Sequence, residues 1–313
     1  MQPVHLETIE AAIMRTVLYG DVFDFAMTLA EIHHYLIHDQ PVSLDQIQTT
    51  LATSTYLQSR LCYADGYYTC AERGDLIALR IERHEAAQAV WSQALGWGRW
   101  LARLPFVRMV ALTGALAVQN PSSRQDDFDY LLVTQPGRVW LARAFSIAMV
   151  RVGKLRGVIL CPNYVVATNA LAQKRQDLFM AHEVTQMMPL YGMAIYHDMR
   201  QANEWSDEYL PNATYSLYAG SELQSGAFWG TIKRGLELLL SGGIGDRLEQ
   251  WEYKRKLNRF APKMKTPHSS AQLDPAQVKG HFNDHGHPVL QRYYERLLQY
   301  QLADSVLLPL AGD

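Results

Sequence analysis

Val110-Ala111-Leu112-Thr113-Gly114-Ala115 and Asp127-Phe128-Asp129-Tyr130-Leu131-Leu132-Val133 are the stretches that decide the fold of the middle of the chain. Each contains an apolar run of strand length, and the first ends in a glycine turn before a short helical stretch, so we predict two buried strands. Residues i and i+2 of a strand share one face. We therefore expect Asp127 and Asp129 to lie side by side, with the neighbouring aromatic residues buried behind them.

The paired aspartates predict a metal site. Two adjacent carboxylates repel each other unless a cation lies between them, so Asp127 and Asp129 are candidate metal ligands and catalytic residues. Hard oxygen ligands of this kind suit Mg²⁺ or Mn²⁺. The turn at Gly114, between a strand and a helix, offers backbone N–H groups for phosphate. The two features together are typical of metal-assisted nucleotidyl transfer, and the alternative is a solvated pair of acids at a strand end.

The spacing of these residues resembles the DNA polymerase β-like nucleotidyltransferase superfamily. In that family a strand ending in Gly-Ser or Gly-Gly precedes an Asp-x-Asp motif on the next strand. Here Gly114-Ala115 is followed by 11 residues and then by Asp127-Phe128-Asp129. The whole chain resembles bacterial and archaeal nucleotidyltransferase-domain proteins with an N-terminal winged helix. The resemblance implies transfer of a nucleoside monophosphate from NTP to an acceptor, with Asp127 and Asp129 on the metal and Thr113, Gly114 and Ala115 binding the nucleotide.

Two departures from the family pattern affect catalysis. Ala115 replaces the small hydroxyl residue or glycine, so a side-chain donor to phosphate is missing. Many members carry a third carboxylate on a later strand, but residues 130–176 contain no Asp or Glu, and the third predicted strand offers Asn163 instead. Asn cannot accept a proton. Either Glu183 or Asp177 supplies the base, or the substrate needs no strong base, or the protein is a catalytically silent nucleotide-binding or scaffold protein.

The N-terminal 83 residues predict a winged helix-turn-helix. Three helical stretches, two of them opened by the capping boxes Thr28-x-x-Glu31 and Ser43-x-x-Gln46, precede an Asp65-Gly66 hairpin. Residues 16–59 contain five acids and no Lys or Arg. Because binding to duplex DNA depends on cations that meet the phosphates, this composition argues against DNA and favours packing against the rest of the chain or a partner protein.

The predicted fold class is α+β, with three segments. Residues 1–83 form the winged helix, residues 84–176 a small mixed-sheet nucleotidyltransferase core, and residues 177–313 a helical C-terminal region.

The window 130–176 is basic as well as free of acids. It holds seven Lys and Arg residues, of which Arg138 and Arg143 are nearest to the predicted metal strand. These two are candidates to neutralise a triphosphate, or they lie on a solvated helix face. A polyanionic acceptor such as RNA also fits a basic surface. The acceptor itself, whether a small molecule, a protein or RNA, is left open.

Composition excludes several other classes. There are 29 Lys and Arg against 31 Asp and Glu, which gives a net charge of −2 and argues against a nucleic-acid coat protein. The three cysteines form neither a disulfide framework nor a CxxC zinc pair. No apolar run approaches the roughly 20 residues of a membrane helix, and the first residues do not read as a signal peptide, so we expect a cytoplasmic protein without membrane contact.

Overall fold

Helices and strands alternate along the chain in a mixed α+β fold with two separate sheets. The computed structural model describes residues 8–224, 226–264, 272–279 and 286–302. The helices within these ranges are α1 (Ile9–Asp21), α2 (Leu29–His34), α3 (Leu44–Thr53), α4 (Thr55–Gln58), α5 (Asp75–Ala102), α6 (Gly114–Ala117), α7 (Val139–Leu155), α8 (Leu178–Thr185), α9 (Met193–Gln201), α10 (Ala227–Leu240), α11 (Gly243–Met264) and α12 (Gly286–Gln299). The strands are β1 (Met27–Thr28), β2 (Leu61–Ala64), β3 (Tyr67–Cys70), β4 (Val107–Thr113), β5 (Phe128–Thr134), β6 (Leu160–Ala167), β7 (Met188–Tyr191), β8 (Gln272–Asp274) and β9 (Gln277–Lys279).

The first sheet is small, antiparallel and N-terminal, with the strand order β1-β3-β2. Both predicted capping boxes are present: the Thr28 N–H donates to Glu31 Oε2 (2.7 Å), and the Ser43 N–H donates to Gln46 Oε1 (3.0 Å). The predicted hairpin turn is also confirmed, because Asp65 and Gly66 both have positive φ (52° and 86°) as a type I′ turn requires.

Helix α5 connects the N-terminal sheet to the central one. It begins at Asp75, so it runs across the segment boundary predicted between residues 83 and 84. Arg80 on this helix is buried and pairs with buried Glu31 of α2, with 2.8 Å between Nη2 and Oε1. The Arg80 guanidinium also donates to the carbonyl of Gln119, and the Tyr218 hydroxyl donates to Glu31. These contacts join the first segment to the rest of the chain through the protein interior.

The second sheet has six strands in the described part of the chain, in the order β7-β4-β5-β6-β9-β8. β4 and β5 are antiparallel and pair Thr113 with Asp129, whereas β5 and β6 are parallel and pair Asp129 with Cys161. The ends of three strands therefore meet at Asp129.

Successive residues of β5 pack alternately into two hydrophobic layers, one on each face of the sheet. Phe128, Tyr130 and Leu132 pack in the cluster that includes residues of α5 and α7. Leu131 and Val133 pack in the cluster formed with α8 and α9. By the two-residue period of a strand, Asp129 lies on the α8 and α9 face, with the aromatic residues buried behind it as predicted.

The C-terminal segment is not purely helical, in contrast to the prediction. β7 pairs with β4, and β9 pairs with β6, so this segment completes both sides of the central sheet. These strands are only three or four residues long, which is too short to give a clear periodic pattern. Helix α12 packs through Tyr293 and Leu297 in the same hydrophobic cluster as α1. Among the described residues, no helix is both long and apolar enough to cross a membrane.

Candidate functional site

An acidic cluster lies where β5 begins. Asp127 directly precedes this strand and Asp129 is its second residue. One carboxylate oxygen from each aspartate and the thiol of Cys161 on β6 lie within 4.8 Å of one another. All three side chains are half-buried. The structure thus brings together the two aspartates predicted from the sequence and adds a cysteine that the sequence did not suggest.

The carboxyl group of Asp129 is held in a strongly acidic environment. Burial, followed by the negative charges of Asp127, Glu183 and Asp126, raises its pKa to about 8. The Asn163 amide opposes this shift by donating to Asp129 Oδ1 over 2.7 Å. Asn163 therefore lies beside Asp129 as a hydrogen-bond donor.

The thiol of Cys161 lies close to both aspartates of the cluster. Burial is the first cause that raises the pKa of this thiol well above its usual range, and the neighbouring Asp127 is the second. Its neighbour in the parallel pairing is Asp129.

Gly114 approaches the site from the end of β4. Its φ is +66°, in the left-handed region that favours glycine, and a Cβ at this position would overlap Asp129 Oδ2 and lie 3.2 Å from Asp129 Cγ. Thr113 is the N-cap residue of α6, but its side chain makes no capping hydrogen bond to this helix. Ala115, the next residue after Gly114, is exposed. Thr113, Gly114 and Asp129 are thus brought together as predicted.

A first cavity of about 610 Å³ opens in front of Asp129. Thr113, Gly114 and Asn163 also line it. Among the described residues, three basic side chains from different parts of the chain reach its walls, namely Arg175, Lys279 and Arg292. An acidic edge and a basic wall therefore face the same space.

A second cavity of about 310 Å³ also includes Gly114 in its lining and lies among helices α1, α6 and α8. The two cavities share Phe23, Gly114, Phe179 and Glu183, so they adjoin each other next to Asp129. The walls of the second cavity are mostly aromatic and aliphatic.

The two acids considered as possible bases have different positions. Asp177 caps helix α8 by accepting from the Met180 N–H (2.9 Å), and it is paired with Arg175. Glu183, on the same helix, is exposed and lines both cavities. Glu183 is therefore the acid with access to the site.

Neither Arg138 nor Arg143 lines the first cavity. Arg138 follows the far end of β5, where it pairs with Asp246 (2.7 Å) and donates to the carbonyl of Ser241. Arg143 lies on α7 and lines a separate cavity with Phe260, and Cys161 and Asn163 of β6 line this cavity too. Both were chosen because they are close to Asp129 in sequence, but β5 runs away from the site over its whole length.

Of the seven basic residues in the window 130–176, only Arg175 lines the first cavity. The other two cations, Lys279 and Arg292, belong to β9 and α12. No spacing relates them to Asp129 in the sequence, since tertiary packing alone brings these elements to the site.

Comparisons with protein-family models, with curated proteins and with solved structures find no match for this chain.

Proposed function

We propose that this protein is a metal-dependent nucleotidyltransferase of the DNA polymerase β-like type, which transfers a nucleoside monophosphate from NTP to an acceptor and releases pyrophosphate. The observation that carries the proposal is the first cavity, in which Asp129 of the acidic cluster faces Arg175, Lys279 and Arg292. Acids that collect a divalent cation and bases that neutralise phosphate are both needed to bind a metal–triphosphate complex.

The donor set fits Mg²⁺ or Mn²⁺. Asp127 and Asp129 offer carboxylate oxygens close enough to share one ion, and their mutual repulsion is relieved by a cation. Two of the three candidate ligand atoms of the cluster are carboxylate oxygens, which Mg²⁺ and Mn²⁺ prefer. A bound divalent ion would supply charge neutralisation at the transferring phosphoryl group.

The basic wall suits the triphosphate. Arg175, Lys279 and Arg292 are contributed by three elements around a cavity of about 610 Å³, within the range of pockets that enclose small ligands. Asn163 contributes a polar amide at the same wall and orients Asp129 through its hydrogen bond. Thr113 and Gly114 lie at the junction of this wall with the acidic cluster.

In the proposed reaction, the acceptor hydroxyl or amine forms a bond to the α-phosphorus, and the bond from that phosphorus to the pyrophosphate oxygen breaks. The proton of the acceptor passes to the carboxylate of Glu183, and pyrophosphate leaves with the electron pair of the broken bond. Glu183 is suited to this role because it is exposed to both cavities beside the acidic cluster.

We further propose that the N-terminal helices and hairpin are a winged helix that stabilises the fold without binding duplex DNA. Helix α3, at the position of a recognition helix, presents Asp45, Gln46 and Gln48 and no cation. Helix α1 contributes to the second cavity through Tyr19.

Isothermal titration of ATP, GTP, CTP and UTP tests the proposal, with Mg²⁺, with Mn²⁺ and with EDTA. We expect at least one nucleotide to bind only when a divalent ion is present. Asp127→Asn and Asp129→Asn should each weaken this metal-dependent nucleotide binding by about tenfold or more. Asp198→Asn, which removes an exposed acid on α9, is the charge-matched control. Binding that is unaffected by both aspartate variants would contradict the site assignment.

The second candidate function is a nucleotide-binding protein without catalysis. Two observations favour it: Asn163 donates to Asp129 at the position of the expected third carboxylate, and Ala115 lacks a side-chain donor. Pyrophosphate release distinguishes the two functions. Release that is lost in Glu183→Gln, while metal-dependent nucleotide binding persists, supports the transferase.

A further inference from the structure

Helix α10 has its charged side towards the protein. The Lys233 ammonium is buried and donates to the carbonyls of Ala102 (2.8 Å) and Val107 (2.6 Å). Four residues further along the helix, Glu237 pairs with Arg108, with 2.7 Å between Oε1 and Nη1. These contacts fix which side of the helix packs against the strand β4 and the end of α5.

The outer side of α10 is apolar. Its exposed large hydrophobic residues are Phe228, Ile232, Leu236, Leu238 and Leu239. All but Leu238 are spaced by four, four and three residues, so they form one stripe along the helix. Phe228 is 71% exposed and Leu239 is 68% exposed. A surface helix normally buries such a stripe, so the orientation of α10 is the reverse of the usual one.

Helix α11, which follows after a short turn, repeats this reversal. Glu249 is buried and accepts from the N–H groups of Trp140 (2.9 Å) and Leu141 (2.7 Å) at the start of α7. The exposed large hydrophobic residues of α11 are Ile244, Leu248 and Trp251, at spacings of four and three residues. The apolar stripe of α10 is thus followed directly by a second exposed stripe on α11.

The exposed charges of the two helices are mostly positive. Among the described residues of α10 and α11, the exposed cations are Arg234, Arg247, Lys254, Arg255 and Arg259, and the exposed acid is Asp246. Asp246 is paired with Arg138 (2.7 Å), whereas Glu249 and Glu252 are buried. The exposed surface of the two helices is therefore apolar and positive, and it complements a partner that is apolar and anionic.

We propose that α10 and α11 lie on an anionic lipid surface, with their apolar stripes at the boundary between headgroups and acyl chains and their cations on the lipid phosphates. Leucine, isoleucine, phenylalanine and tryptophan on one side of a helix, accompanied by arginine and lysine, are typical of helices that lie in a membrane interface. Helix α10 has 14 residues, fewer than the roughly 20 that cross a bilayer, so the proposed contact is at the surface. The absence of membrane contact was expected from the length of the apolar runs, a criterion that detects only helices that cross.

A second copy of the chain fits this surface less well than a lipid does. In a two-fold dimer the same patch meets itself, so the cations of one copy would face those of the other. Like charges placed opposite each other oppose association, whereas lipid phosphates attract cations.

The proposed lipid contact is separate from the candidate nucleotide site. Arg108, which pairs with Glu237 of α10, is the second residue of β4, whereas Thr113 at the other end of this strand lines the first cavity. At about 3.3 Å per residue, the two positions lie roughly 17 Å apart. Lipid binding is therefore expected whether or not the transferase proposal holds, and nucleotide should not compete with it.

The test measures sedimentation of the full chain with vesicles of phosphatidylcholine alone and with vesicles that contain about 30% phosphatidylserine. Leu239→Gln and Ile244→Gln remove apolar contact without changing the charge, and both side chains are well exposed. Leu298→Gln, at an exposed leucine on α12, is the matched control. Arg247→Gln removes an exposed cation of α11, and Lys174→Gln removes an exposed cation outside the two helices.

We expect the protein to bind the phosphatidylserine vesicles at least about tenfold more tightly than the neutral ones, and about 0.5 M NaCl to weaken this binding. Leu239→Gln and Ile244→Gln should each weaken it about fivefold or more, and Arg247→Gln about three- to fivefold. The two control variants should change it less than about twofold. Saturating ATP with Mg²⁺ should leave it unchanged.

Tryptophan fluorescence shows whether the apolar stripe enters the lipid. Trp251 is 60% exposed, so its emission should shift to shorter wavelength when phosphatidylserine vesicles are added. Trp251→Phe keeps an apolar side chain at this position. The variant should therefore keep the vesicle binding and lose most of the shift.

The other possible occupants give different results, and each of these results overturns the proposal. Binding to neither kind of vesicle, or equal binding to both, excludes an anionic lipid surface. Binding that Leu239→Gln and Ile244→Gln leave unchanged would show that only the charges are engaged, as they would be by an acidic protein surface. A dimer in sedimentation equilibrium that Leu239→Gln dissociates would make a second copy of the chain the occupant.

Discussion

The carboxylate of Asp129 lies directly against Gly114, where the Cβ of any other residue would overlap it. The glycine is required twice, because its φ of +66° is also in the left-handed region. The end of β4 therefore fixes the position of an acid on β5, and the approach of these two residues defines the edge between the two cavities.

Gly114→Ala should destabilise the protein and disturb the acidic cluster. The left-handed φ costs about 1 kcal/mol for alanine, and the overlap with Asp129 adds to this cost and displaces the carboxylate. Gly137→Ala is the control, since Gly137 has a φ of +71° and nothing within 4 Å of its Cβ position. Urea unfolding should show a larger loss for Gly114→Ala, and titration with Mn²⁺ should show weaker binding for this variant alone. Equal losses in both variants would mean that the approach to Asp129 is unimportant.

Arg292→Ala should weaken nucleotide binding by about tenfold, because an exposed guanidinium on the cavity wall is lost. The unfolding free energy should change little. Arg138→Ala should lower the unfolding free energy and leave nucleotide binding unchanged, because Arg138 is buried and paired with Asp246 beyond the far end of β5. Titration with ATP and Mg²⁺ measures nucleotide binding by both variants, and urea unfolding measures their stability. Arg234→Ala is an exposed control on α10. Weaker ATP binding in Arg138→Ala would argue against the assignment of the basic wall.

His34 should make the protein acid-sensitive. Burial first, then the positive charge of Arg200, lowers its pKa from 6.5 to about 4, and neither ring nitrogen has a hydrogen-bond partner among the described residues. The unfolded chain therefore takes up the proton first as pH falls. The stability contributed by neutral His34 is complete above about pH 6.5 and is lost progressively towards pH 4, by about 3 kcal/mol.

The comparison of His34→Phe with the wild type isolates this effect from other groups that titrate in acid. The difference between their unfolding free energies, measured in urea from pH 7 to pH 4, should change by about 3 kcal/mol in favour of the variant. His197→Gln, at an exposed position on α9, should follow the wild type. Parallel profiles for wild type and His34→Phe would show that His34 does not titrate in this range.

The buried pair of Arg80 and Glu31 should be costly to break but less costly to remove. Arg80→Met leaves Glu31 charged without its partner in the interior and should cost about 3–5 kcal/mol. Adding Glu31→Gln removes the charge and keeps a hydrogen-bond acceptor for Tyr218, so the double variant should lose less than the sum of the single losses. Arg255→Met removes an exposed guanidinium from buried Glu252, which keeps Lys256 as a second partner, so it should cost less than Arg80→Met in the same urea titrations. Additive losses would show that the buried charges do not interact.

Local signals in the sequence predicted local structure well. The capping boxes at Thr28 and Ser43 and the turn at Asp65-Gly66 involve neighbouring residues, so their hydrogen bonds and dihedral angles follow from residue type. The apolar runs of β4, β5 and β6 were also found, because each is long enough to be recognised. The pairing of Thr113 with Asp129 then brings the two predicted motifs together.

Features that depend on distant parts of the chain were not predictable in this way. The strands β7 and β9 are too short to be recognised by pattern, and they are strands because β4 and β6 offer them unpaired edges. Arg138 was predicted because it is close to Asp129 in sequence, although β5 runs away from the site before the chain reaches it, and Arg292 was not predicted. Local sequence patterns do not show which helix will pack over the end of which strand.

The separation of β6 and β9 in the sequence has a consequence for biosynthesis. Lys279 of β9 pairs in register with Tyr164 of β6, more than a hundred residues earlier. While the ribosome makes the intervening residues, the edge of β6 has no partner from this strand, and unpaired edges of this kind invite association with other chains. The same strand delivers both the cover of this edge and a cation of the first cavity. A nascent chain therefore gains cover for this edge and the Lys279 cation of the first cavity in one step.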